Sequence, residues 1–107
     1  MKIEVLCIPD CPNCPRAVER VREALSSLKL DAQVIQVIVT DAAGAARLRF
    51  PGSPTVRVNN RDVEPLALSS ESPALQCRLY PSSDNPGVPG REAVCQALRE
   101  ALRKEAF

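Results

Sequence analysis

In the stretch Cys7-Ile8-Pro9-Asp10-Cys11-Pro12-Asn13-Cys14-Pro15, Cys11 and Cys14 are the side chains whose type and spacing could do chemistry. Two thiols in a C-x-x-C meet only if the backbone between them turns. A turn that runs into a helix start brings both sulfurs to one end of that helix. There, unpaired backbone N–H groups and the positive end of the helix dipole favour thiolate over thiol. Such a pair is a nucleophile or half of a soft-metal site. A closed four-ligand zinc site needs a second ligand pair, and the sequence has no histidine and no second C-x-x-C.

The elements on either side must position the pair. Residues 2 to 8 read as a strand, with Ile3, Val5 and Cys7 on one face, Leu6 and Ile8 on the other, and Glu4 reaching to water. From about residue 14 to 29, Val18, Val21, Leu25 and Leu28 recur at helical spacing. Pro12 and Pro15 set the start of that helix inside the motif, because proline is tolerated only in a first helical turn. The almost unbroken β-branched run 32 to 39 reads as an interior strand, and strand, helix, strand implies a right-handed parallel crossover. Thr40 offers an N-cap oxygen, and Asp41 a first-turn charge, to a short helix through about Leu48, which Gly44 weakens by ~1 kcal/mol.

Asn59-Asn60 suits a tight hairpin turn between strands at about 54 to 58 and 61 to 64, since Asn tolerates positive φ. Between Pro65 and Gly90 the pattern dissolves into Ser, Pro, Gly and Asp, broken only by Leu75-Gln76-Cys77-Arg78-Leu79-Tyr80, which alternates like a short docking strand. A connection of roughly 25 residues is long for a small domain, and such loops are usually lids or disordered. A final helix runs from about 91 to 105, with Val94, Cys95, Leu98, Ala101 and Leu102 on one face.

The 107 residues suffice for a single domain, whose core must be aliphatic because the aromatics are only Phe50, Tyr80 and Phe107. Fourteen Lys and Arg against 13 acidic residues leave a net charge of +1 with no block of like charge. That excludes nucleic-acid and membrane-surface binding as expectations. The leading Met-Lys-Ile-Glu-Val is interrupted by Glu4, and no run approaches the ~18 apolar residues of a membrane span, so a cytoplasmic protein is expected. Five cysteines, an odd count, fit that setting better than a secreted disulfide framework.

The element order, with C-x-x-C at the head of the first helix and Gly52-Ser53-Pro54-Thr55-Val56 opening the third strand, resembles the minimal thioredoxin fold. The resemblance covers about 2 to 64 plus the final helix. It implies an α/β fold with a four-stranded mixed sheet in the order 2-1-3-4, three helices, and an extended loop at about 65 to 90 before the last one. It also implies a cis Pro54 facing the dithiol, with the Ser53 backbone open to an extended substrate as a strand partner. More narrowly, the chain is similar to small bacterial thioredoxin-fold proteins that carry a C-P-N-C start, G-S-P-T-V and a late C-R-L-Y. Some of these are labelled as related to alkylmercury lyase, a label that is not itself evidence of mercury chemistry. Two departures from thioredoxin stand out: Asp10 replaces a shielding aromatic, and Val5 falls where thioredoxins carry a buried acid.

The expected function is thiol–disulfide exchange on a protein or small-molecule disulfide, with no cofactor. Cys11 is the attacking thiol and Cys14 the resolving one, closing the disulfide on Cys11. Pro12, Asn13, Ser53 and Pro54 line the substrate position. The alternative is binding or transfer of a soft metal ion such as mercury by Cys11 and Cys14, with Cys7 or Cys77 as third ligand. Cys7 and Cys95 are expected in the core, Tyr80 as an anchor for its loop, and Cys77 in either a packing or a functional role.

Overall fold

Alternation of Ile3, Val5 and Cys7 against Glu4 and Leu6 lets one strand, β1 (Ile3–Cys7), feed two apolar layers at once. The computed structural model describes residues 1–65 and 73–105. After β1 come α1 (Cys14–Ser27), β2 (Val34–Ile38), α2 (Ala42–Leu48), β3 (Thr55–Val58), β4 (Arg61–Asp62) and α3 (Arg91–Glu105). The strands form one mixed sheet in the order β2-β1-β3-β4. β1 runs parallel to β2 and antiparallel to β3, and β4 returns antiparallel on β3. This is the α/β thioredoxin-like arrangement, with the strand order 2-1-3-4, that the resemblance implies.

The larger core joins Ile3, Val5 and Cys7 to Ala17, Val21, Ala24 and Leu25 of α1 and to Val94, Cys95 and Leu98 of α3. A smaller cluster, Leu6, Val39, Ala45 and Phe50, seats α2 on the other side of β1. Cys95 is therefore a core residue. The run 32 to 39 is not an interior strand: β2 lies at the sheet edge, and Ile35 and Ile38 remain 41% and 46% exposed. Its β-branched character suits the pleat whether or not a neighbour covers the outer edge.

Local rules account for most boundaries. Asn13 is the N-cap of α1, and a proline stands in its first turn, as the motif requires. The cap of α2 is Asp41 and not Thr40; the Asp41 carboxylate accepts from the Gly44 N–H at 2.7 Å. Asn59 and Asn60 both take positive φ (51° and 68°) in the hairpin turn. β4 closes after Asp62, sooner than alternation suggests. Part of the expected long loop, residues 66–72, and Phe107 lie outside the described residues. Among the described residues, no helix is long and apolar enough to cross a membrane.

Candidate functional site

The end of β1 and the start of α1 build the site. Past Cys7 the chain turns through Asp10, which takes φ 59°, and the Cys14 N–H donates to the Cys11 carbonyl at 3.2 Å. Cys14 thereby becomes the first residue of α1, with Cys11 just before the helix. Both are largely buried, at 9% exposure for Cys11 and 4% for Cys14. Pro12 is exposed, and Asn13 is half-buried beneath Gly87, where an added Cβ would fall 2.5 Å from the Asn13 Nδ2.

The disulfide joins Cys7 to Cys14, with Cα atoms 6.0 Å apart, and leaves Cys11, Cys77 and Cys95 as free thiols. The sequence reading pairs Cys14 with Cys11 and places Cys7 in the core, with a third thiolate beside the pair as the alternative. Cys7 is indeed fully buried, but it shares the face of β1 on which α1 packs. That placement puts it under the first turn of the helix, within reach of Cys14.

Gln36, which no motif marks, donates from Nε2 to the Cys14 sulfur at 3.0 Å. Its signal was available in the strand pattern: Gln36 interrupts a run of Val and Ile, and in a parallel register it sits opposite Val5. Val5, in the place of the thioredoxin acid, is fully buried between Gln36 and Val56 in the ladder. Among the described residues, the side-chain polar group on the Cys14 sulfur is thus an amide donor from β2.

The Ser53–Pro54 peptide bond is cis, and both residues are buried. The Ser53 hydroxyl accepts from the Ile8 N–H at 3.1 Å, which ties this loop to the residue after Cys7. The Ser53 backbone is not open to a substrate strand. Its N–H donates to the Gln76 carbonyl at 2.7 Å, its C=O accepts from the Arg78 N–H at 3.0 Å, and Ser53 and Cys77 form a parallel bridge. Expected as a docking strand without a partner, the segment around Cys77 has found one within the chain.

Two buried side chains hold that segment. Arg78 pairs with Asp62 at 2.6 Å, donates to the Glu64 carbonyl at 2.8 Å and to the Thr55 hydroxyl at 3.3 Å, and lies 5.0 Å from the Tyr80 ring centroid. The Tyr80 O–H donates to the Pro54 carbonyl. Burial, partly offset by the nearby Arg78 charge, pushes the Tyr80 phenol well above its ordinary value. The anchor role expected of Tyr80 is therefore filled at full burial. Farther along, Arg20 of α1 grips Asp84 through two hydrogen bonds at 2.7 and 3.1 Å, which hold the Asp84 carboxyl below its ordinary value.

A soft-ion site on Cys11 and Cys14 would draw its third ligand from Cys7 or Cys77. Here Cys7 and Cys14 are spent in a disulfide, and Cys77 is exposed on the bridge to Ser53. Among the described residues, no group of three or more cysteine or acidic side chains is assembled that could hold a metal ion.

A family model described as Thioredoxin domain matches residues 1–63, the segment from β1 through β4 that carries the C-x-x-C and the cis proline. No curated protein and no solved structure matches the chain.

Proposed function

Since this chain belongs to the thioredoxin-domain family, we propose that it is a thiol–disulfide oxidoreductase that works with three thiols, Cys11, Cys14 and Cys7. The observation that carries this reading is a disulfide between the first strand and the first helix, with a free thiol one turn ahead of it.

In the reductive direction the protein starts with all three thiols reduced. The Cys11 thiolate attacks a substrate disulfide RSSR, forms Cys11–S–S–R and expels RS⁻, which takes up a proton. The Cys14 thiolate then attacks the Cys11 sulfur, expels the second RS⁻ and leaves a Cys11–Cys14 disulfide. Cys7, beneath Cys14, attacks the Cys14 sulfur and returns Cys11 as a free thiolate. Two electrons pass from the Cys7/Cys14 pair to RSSR, two RSH are released, and the protein ends with Cys7 bonded to Cys14 and Cys11 free. A thiol reductant returns it to the starting state. The Gln36 amide, a donor to the Cys14 sulfur, stabilises the Cys14 thiolate by a hydrogen bond, while the proton leaves to the expelled RS⁻ or to solvent.

Cys14→Ser blocks the second step. In a Cys77→Ala background, reduced Cys14→Ser protein treated with a small disulfide should accumulate an adduct on Cys11, visible by intact mass and peptide mapping, whereas the Cys11 adduct of protein that keeps Cys14 is transient. Failure of Cys11 to form any adduct refutes the reading. Cys7→Ser should stop at a Cys11–Cys14 disulfide.

A further inference from the structure

We infer that the site acts on small disulfides and not on extended polypeptide strands, a specificity that rests on the thiol–disulfide reading above. A polypeptide that docks by strand addition needs a free backbone N–H and C=O on the receiving edge. At Ser53 both are occupied by the chain's own Gln76 and Arg78, so the edge beside the reactive loop is filled before any substrate arrives.

The filling segment is tied at several points. The Gln76 side chain donates to the Pro51 carbonyl at 3.2 Å, Arg78 is locked on Asp62, Thr55 and Glu64, and Tyr80 is locked on Pro54. Removing it would strip partners from Arg78, a residue only 3% exposed, and from the backbone of Ser53. Gly52 shows how closely the two segments meet. It takes φ +142°, and a Cβ there would lie 2.8 Å from the Arg78 Cβ and 3.0 Å from the Cys77 carbonyl oxygen. Gly87 packs just as tightly on Asn13 of the motif, where a Cβ would lie 2.5 Å from the Asn13 Nδ2. Cys11 itself keeps only 9% exposure. A small disulfide needs only line-of-attack access to one sulfur, and no backbone pairing.

The test compares two probes on reduced protein in a Cys77→Ala background, which removes the exposed thiol: hydroxyethyl disulfide, and insulin as a polypeptide disulfide. Cys11-dependent exchange, taken as the rate lost in Cys11→Ser, should be about tenfold or more faster with hydroxyethyl disulfide, because exchange rates follow access. Tyr80→Phe and, independently, Gly52→Ala should raise the insulin rate severalfold and leave the hydroxyethyl disulfide rate within about twofold. Equal wild-type rates on the two probes, or a preference that neither variant reduces, overturns the inference while leaving the oxidoreductase reading intact. Absence of Cys11-dependent exchange with either probe overturns both.

Discussion

Residues 1–63 with α3, and residues 76–80, are held in place by different forces. The sheet and its helices close on aliphatic side chains, with Ile3, Val5, Val21 and Leu98 all fully buried, and such packing is non-directional and tolerant of conservative change. The segment over the cis-proline loop is held instead by directional contacts from two buried side chains, Arg78 and Tyr80, and by one close approach at Gly52. The difference teaches that the scaffold and its cover can be perturbed separately. The cover should loosen under changes the scaffold hardly feels.

The largest effect should come from the scaffold. Phe50→Ala empties the centre of the smaller cluster, where Phe50 is fully buried, and should lower global stability by about 3–5 kcal/mol. Urea denaturation should show a lower midpoint, with amides of both regions losing protection together.

Arg78→Ala leaves the Asp62 carboxylate without its cationic partner, though it still accepts from the Glu64 N–H at 2.9 Å. Breaking a buried pair costs about 3–5 kcal/mol, and because the Asp62 side chain keeps 19% exposure, the lower end is expected. Hydrogen exchange should accelerate at the Ser53 and Arg78 amides far more than at Val5 or Val56. Uniform acceleration would show that cover and scaffold form one cooperative unit.

Tyr80→Phe removes one hydrogen bond, for about 1 kcal/mol. It should also change the alkaline limb of stability. Burial raises the folded phenol above its ordinary value of 10.0, so its contribution is complete below about pH 10 and is lost as pH rises toward the folded value. Wild-type stability should fall over that range, and this part of the fall should be missing in Tyr80→Phe.

The smallest effect concerns Asp84, whose carboxyl the Arg20 hydrogen bonds hold low. A depressed folded value means that the contact is intact above the ordinary carboxylate range and released as pH falls through the lowered value. The Asp84 side-chain carbon shift should titrate lower in wild type than in an Arg20→Gln variant, with little change in overall stability.

Much of the scaffold was legible in residues close together in the chain. Pro12 and Pro15 marked the helix start, Asn59-Asn60 the hairpin, and the spacing of Val21 and Leu25 the buried helix face. The site was legible in part. Cys11 and Cys14 stand out by spacing, but Gln36 is hidden in a strand whose pattern is otherwise apolar, and a buried Cys7 and a bonded Cys7 have the same sequence signature. The destination of 76–80 was not legible, since alternation shows that a segment can pair and not with what.

The order of elements and the placement of two thiols at a helix head were determined by the sequence alone, because periodicity, proline geometry and positive-φ turns act over a few residues. Tertiary structure decided which sulfurs bond, which amide reaches Cys14 and what fills the edge at Ser53. Each of those joins residues on separate elements, 7 with 14, 36 with 14 and 53 with 77, and such contacts exist only once the sheet order and helix packing bring them together.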